Sequence, residues 1–163
     1  MEATVERLDE TAWQQLRDLR LEALQDTPSA FWATWADESR YDDGEWARVA
    51  RAVVWFVATR EGHPVGLAGA LRRTECPDEP EVIGMWVRPA ERGRGTAGAL
   101  LTAIVRWADR RRAAALTLWV TSGNDRAREF YRRQGFAPTG EVAPLPDGRT
   151  GGEARMRRAL RRS

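Results

Sequence analysis

The chain has 163 residues, 42% of them apolar and eight of them tryptophan, with a formal net charge of +2. A chain of that length hides about 70% of its unfolded surface, so one well-cored domain over 1–163 is the expected organisation. One cysteine and one histidine rule out an internal disulfide and a clustered transition-metal site, and all 26 basic residues are arginine, so no lysine can act as nucleophile. No run reaches membrane-spanning length, and the start Met1–Arg7 has no apolar signal core. A cytoplasmic location is expected.

Ala3 to Leu8 reads as a first strand. Thr11-x-x-Gln14 has the form of a capping box and opens a helix predicted through Leu24, with Trp13, Leu16, Leu19 and Ala23 inward. Asp42 or Asp43 caps a second helix running to Arg51. Val53–Thr59 and Val65–Leu71 form a hairpin turning at Arg60–Pro64, which places His63 in a turn. Pro77 and Pro80 mark a loop, with Cys76 an incidental thiol beside them. The strand that follows starts at Glu81, and Gly84 inside it signals a bulge or a close backbone approach.

That strand runs through Met85, Trp86 and Val87 into the basic loop Arg92-Gly-Arg-Gly-Thr-Ala-Gly98. A helix follows, with Ala97, Leu100, Leu101, Ile104, Val105 and Ala108 at helical spacing. Strand, glycine loop and helix together aim backbone N–H groups and a helix dipole at one anion. Gly93, Gly95 and Gly98 allow close approach, and Arg92 and Arg94 add forked donors. The arrangement reads as a diphosphate cradle. It is not a Walker A loop, which ends in Gly-Lys-Ser/Thr. Gly93 to Gly98 does match the bare G-x-G-x-x-G pattern. However, Arg88–Arg92 separates it from its strand, and the next strand, Leu116–Val120, ends without the acidic residue a dinucleotide site needs.

Downstream, a right-handed parallel crossover leads to Ala115–Val120. A helix follows from Asn124 to Gln134, stopping at Gly135. A Pro/Gly-rich loop, 138–152, precedes a final strand at Glu153–Leu160. The arginines of the tail (Arg155, Arg157, Arg158, Arg161, Arg162) read as a solvated edge, since overall charge is nearly balanced; no nucleic-acid or membrane partner is expected.

Two motifs in order carry a family resemblance. Arg92-Gly-Arg-Gly-Thr-Ala97 resembles the pyrophosphate-gripping signature of the GNAT N-acetyltransferase superfamily. Val120-x-x-x-Asn124-x-x-Ala127-x-x-x-Tyr131-x-x-x-Gly135-Phe136 resembles its second signature. The resemblance covers about 53–136. It implies an α/β fold with a mixed sheet of about seven strands in the order βααβββαβαββ, acetyl-CoA as co-substrate and no metal. Thr96 departs from the family pattern, where an aliphatic residue is commoner.

Transfer of an acetyl group to an amine requires a neutral amine, a stabilised oxyanion and a proton for the leaving thiolate. The resemblance implies that Tyr131, with a pKa near 10 as a free side chain, donates that proton. It implies that Asn124 contacts the pantetheine arm, with Ala127 between them on the same helix face. The backbone of Met85–Val87 would hydrogen-bond the pantetheine amides where this strand splays from the next. Glu81 stands where some members carry a catalytic base, while others use water chains; both remain open.

The acceptor-facing elements are expected at about 9–51 and 137–152. Within the first, residues 31–46 hold five acids, one arginine and five aromatics. They form either a pocket for a cationic amine or two amphipathic helices with solvated acids. The leading expectation is acetylation of a cationic small-molecule amine, with a monomeric or homodimeric enzyme. The alternatives are acetylation of a protein N-terminus or lysine, and a non-catalytic acyl-CoA-binding module.

Overall fold

The computed structural model describes residues 1–146 and 149–160. Its centre is a seven-stranded sheet in the order β1-β2-β3-β4-β5-β7-β6. In chain order the elements are β1 (Thr4–Arg7), α1 (Trp13–Asp26), α2 (Trp35–Glu38), α3 (Asp43–Ala52), β2 (Val54–Arg60), β3 (His63–Arg73), β4 (Cys76–Val87), α4 (Thr96–Arg110), β5 (Ala115–Thr121), α5 (Asp125–Arg133), β6 (Ala137–Pro144) and β7 (Gly152–Ala159). All neighbours are antiparallel except β4 and β5. The expected order is present, with the one-turn helix α2 added. Among the described residues, no helix is long and apolar enough to cross a membrane.

Two cores sandwich the sheet. Phe56 and Ala58 of β2 point to the side covered by Leu100, Leu101, Ile104 and Trp107 of α4 and by Tyr131. Trp55 and Val57 point to the other side, onto Leu16, Leu19, Ala23 and Leu24 of α1 and Trp46 of α3. Alternation along one strand thus feeds both cores. The hairpin turn narrows to Glu61-Gly62, both at positive φ (51° and 80°), which fits the right-handed twist of the strands it joins.

Several local expectations are corrected. Thr11 caps no helix: Asp9 accepts its N–H and hydroxyl at 2.8 and 2.6 Å, and Ala12 is the N-cap of α1. The short Asx-type turn competes for the same donors. Of the two candidate caps at α3, Asp42 serves, in a capping box with Glu45. Pro77 and Pro80 lie within β4, not in a loop. They fall where pairing with β3 jumps from Arg73↔Cys76 to Leu71↔Glu81, so no ladder N–H is lost. His63 is the first residue of β3. The expected loop 138–152 is largely strand: β6 is an edge strand, so Pro138 is tolerated, and Gly140 (φ 90°) takes up a register shift between Pro138 and Val142. Arg155 and Arg157 are paired with Glu141 and Glu79 (2.7 and 2.8 Å), so that part of the arginine tail is not simply solvated. Arg161 and Arg162 lie outside the described residues.

Candidate active site

The glycine loop delivers α4 with an open N-terminus. Gly95 is its N-cap in the left-handed region (φ 83°), no side chain caps it and the first turn carries no acid. Gly93 also has positive φ (75°). A Cβ at either glycine would meet nothing within 4 Å, so their need is conformational and the space beside them is open. Gly98 is helical, and a Cβ there would only reach Gln134 at 4.0 Å. The first N–H groups of α4, those of Thr96, Ala97 and Gly98, therefore face outward without an intrahelical partner. An anion fits this end and a cation does not.

Side chains hold the loop from behind. Arg92 donates to the Val87 carbonyl at 3.0 Å and to the Asp26 carboxylate. Arg94 pairs with Glu91 at 3.1 Å. Behind both lies a network that local sequence patterns did not reveal. Arg60, 7% exposed, donates to Glu91 at 2.6 Å, to the Thr96 hydroxyl at 3.2 Å and to the Met1 carbonyl. Thr96 is itself buried. Its departure from an aliphatic residue supplies the acceptor that this buried guanidinium requires, and was the one signal of the network in the sequence.

On the adjoining side, β4 and β5 separate. Their parallel ladder is made at Glu81↔Thr117, and β5 pairs along its length with β7 instead. Past Glu81 the β5-facing backbone groups of β4 open into a wedge. Gly84 (φ 62°) provides the expected bulge, with β3–β4 pairing stepping from Gly69↔Ile83 to Leu67↔Trp86. A side chain there would collide with the Trp55 ring at 3.0 Å. Met85 faces the wedge. Trp86 and Val87 are buried, the Trp86 indole donating to Asp26 at 2.9 Å.

A cleft of about 800 Å³ occupies the wedge, and it brings together Glu81, Met85, Asn124, Ala127 and Tyr131. Arg92 to Gly98 do not line it; they lie beyond the end of β4. Glu81 is 8% exposed and accepts both donors of Arg73 at 3.0 and 3.2 Å, so its charge is held by a fork. Tyr131 packs edge-on against Phe130 and Phe136 (5.1 and 5.7 Å), and burial alone pushes its pKa well above the ordinary tyrosine value. The Asn124 carbonyl oxygen accepts the Ala127 N–H at 3.3 Å and caps α5. Cys76 is exposed at the start of β4 and also lines the cleft.

The acceptor side is narrower than the sequence suggested. Of the acidic-aromatic segment, Phe31 and Trp32 reach the cleft. Glu38 is buried and bound by Arg20 in a fork (2.9 and 3.1 Å), Asp42 and Glu45 cap α3, and Tyr41 packs edge-on against Trp46. Two further residues join from the far end of the chain. Arg149 donates to the carbonyls of Phe31 (3.0 Å) and Trp32 (2.7 Å). Glu153 lines the cleft, and burial, with the negative charge of Glu81, raises its pKa. Neither carried a motif.

Comparison with known proteins places this geometry in context. The family model for the acetyltransferase (GNAT) family matches residues 13–136. An aminoglycoside N(6')-acetyltransferase type 1 from Salmonella enteritidis is 26% identical over 134 residues, covering 78% of this chain and 92% of that one. An uncharacterized N-acetyltransferase from Methanocaldococcus jannaschii is 34% identical over 86 residues, 50% of this chain but only 38% of its own length. Among solved structures, a phosphinothricin acetyltransferase from Sinorhizobium meliloti in complex with acetyl-CoA superposes with a TM-score of 0.79 at 22% identity. The match covers 98% of this chain and 89% of that one.

Proposed function

The chain belongs to the GNAT acetyltransferase family, and on that premise we propose that it acts as one N-acetyltransferase domain moving the acetyl group of acetyl-CoA to the primary amine of a cationic small molecule. The observation that carries the reading is the wedge between β4 and β5, with Glu81 at its apex and the buried Tyr131 on its wall. The uncapped N-terminus of α4, with Gly93 and Gly95 leaving room beside it, suits the pyrophosphate. The β5-facing amides of Met85–Val87 suit the pantetheine arm.

Bound acetyl-CoA supplies an activated thioester carbonyl. The chain's own residues do the rest. Glu81, positioned by the Arg73 fork, accepts a proton from the acceptor ammonium, directly or through one water. Backbone N–H groups of the bulged β4 face the carbonyl oxygen as negative charge develops on it. Tyr131 remains protonated because burial opposes its ionisation, so its hydroxyl is available to the departing thiolate.

The acceptor class follows from the cleft's lining. Phe31 and Trp32 provide flat apolar surface. Arg20, Arg73 and Arg155 are each paired with a carboxylate, which leaves Glu75 and Glu153 as lining carboxyl groups without an ion-pair partner among the described residues. A cationic amine with an apolar body complements that wall. The similarity to an aminoglycoside acetyltransferase agrees with this choice. One exposed cysteine outside any disulfide suits a cytoplasmic enzyme.

The test is incubation with acetyl-CoA and a mixed panel of cationic small amines and peptide N-termini, read by CoA release and product mass. Acetylated small amines are expected. Peptide products alone would move the assignment to protein acetylation. Acetyl-CoA binding without turnover on any amine would replace it with a non-catalytic binding module.

A further inference from the structure

A second cavity lies at the opposite end of α4 from the glycine loop. It holds about 380 Å³, shares no residue with the cleft and is lined by Arg7, Phe56, Trp107, Arg110 and Arg111. From Thr96 to Arg110 the helix spans about 21 Å at 1.5 Å per residue, so the two sites are well separated.

The composition of this cavity follows from local geometry. Trp107, Arg110 and Arg111 are three and four residues apart, hence on one face of α4. Arg7 of β1 pairs directly with Phe56 of β2, so both side chains leave the sheet on the same side. Three guanidinium groups thus converge over an aromatic floor, and among the described residues no carboxylate lines the cavity. Among the described residues none of the three has an ion-pair partner. Arg111 lies over the Trp107 ring, 5.0 Å from its centre.

The indole of Trp107 is a second and independent sign. Trp107 is 3% exposed, yet its N–H has no hydrogen-bond partner among the described residues. An indole nitrogen only donates, so it asks for an acceptor. Two other buried indoles have one: Trp55 donates to the Val49 carbonyl at 3.3 Å and Trp86 to Asp26 at 2.9 Å. The end of α4 offers Trp107 no rival. Two carbonyls of its last turn, on Ala108 and Asp109, accept N–H groups of Arg111, Arg112 and Ala113 at 2.9–3.1 Å. The three guanidinium groups outweigh the partial negative charge of the helix C-terminus.

We propose that this cavity is an anion-binding site for a small oxyanion, carboxylate or phosphate, carried on an apolar body that packs against Phe56 and the Trp107 ring. The guanidinium forks match either head group in geometry. The Trp107 ring walls the cavity, so its indole N–H resonance reports on an occupant.

The experiment uses ¹⁵N-labelled protein saturated with CoA, so that the cradle is filled, at fixed ionic strength. Benzoate and phenyl phosphate are titrated separately while the indole N–H resonances are followed. The Trp107 signal is identified by its loss in Trp107→Phe. A saturable shift of that signal is expected with at least one probe, and the stronger binder identifies the head group. Calorimetry on Arg110→Ala/Arg111→Ala, which alters exposed side chains, should show binding weakened at least tenfold, and it serves even if Trp107→Phe fails to fold. An unmoved or non-saturating Trp107 signal, or a double variant that binds as tightly as the parent, overturns the proposal.

Discussion

The cofactor side and the acceptor side of the site are built by different means. The cofactor side, β4 with the glycine loop and α4 beyond its end, relies on backbone: a bulge at Gly84, left-handed turns at Gly93 and Gly95, an uncapped helix end and a strand pair that parts at Glu81. The facing side relies on side chains reaching across the chain, with Arg20 gripping Glu38 and Arg149 reaching back to the carbonyls of residues 31 and 32. Backbone geometry suits a ligand that a whole family shares. Walls pinned by single arginines can be changed one substitution at a time, which suits the part of the site that distinguishes acceptors.

The contrast is sharpest in what one substitution does to each side. Gly95→Glu forces a side chain into the left-handed region and sets a negative charge where a diphosphate is proposed. Acetyl-CoA affinity by calorimetry should fall about a hundredfold or more, with the fold retained, since no protein atom lies within 4 Å of that Cβ. Unchanged affinity would remove the cradle assignment. Tyr131→Phe should lower kcat about tenfold or more and leave acetyl-CoA affinity nearly intact. An unchanged kcat would take Tyr131 out of the acid role.

On the acceptor side the expected effects are smaller and of another kind. Arg149→Ala frees the Phe31–Trp32 wall. It should raise the acceptor KM several-fold, about the worth of one or two hydrogen bonds, with the acetyl-CoA KM unmoved. Arg149→Lys should not restore it, because a point charge cannot serve two carbonyls as a fork does. Equal changes in both KM values would mean that the two sides are not separable.

The smallest effect is a titration. Both tyrosines have raised pKa values. At Tyr131 burial is the cause. At Tyr41 burial acts first, followed by the charges of Glu38 and Glu45. A raised pKa means the folded state holds its proton more tightly than the unfolded one. Its contribution to stability is therefore complete below about pH 10 and is lost as pH rises through the folded value. Tyrosinate absorbance should develop above the ordinary range, with the later component absent in Tyr131→Phe. A component titrating normally in the parent would show that Tyr131 is more solvated than its packing implies.

The backbone-built side was the more legible in sequence because its signals are local. Glycine at a turn, helical spacing from Ala97 and the Asn124–Tyr131 interval each declare themselves within ten residues. The bulge at Gly84 and the end of α5 at Gly135 were readable for the same reason. Where local reading failed, a tertiary circumstance had changed the rule. Pro138 stands in a strand because that strand is an edge, and Pro77 and Pro80 do so because pairing is interrupted around them. The acidic segment left open either a pocket for a cationic amine or two amphipathic helices, and it took tertiary structure to spend Glu38 on Arg20 and two other acids on a helix cap.

From the sequence by itself came the α/β order of elements, the glycine loop opening a helix, and Glu81 and Tyr131 as candidates, since each depends on spacing that a few neighbouring residues impose. Tertiary structure alone decided that these candidates share one cleft, that Arg60 buries its charge between Glu91 and Thr96, and that Arg149 closes on a segment more than a hundred residues away. An ion pair or a long-range hydrogen bond leaves no periodic trace in a chain. It is specified by where the sheet brings its ends, and that is a property of the packed whole.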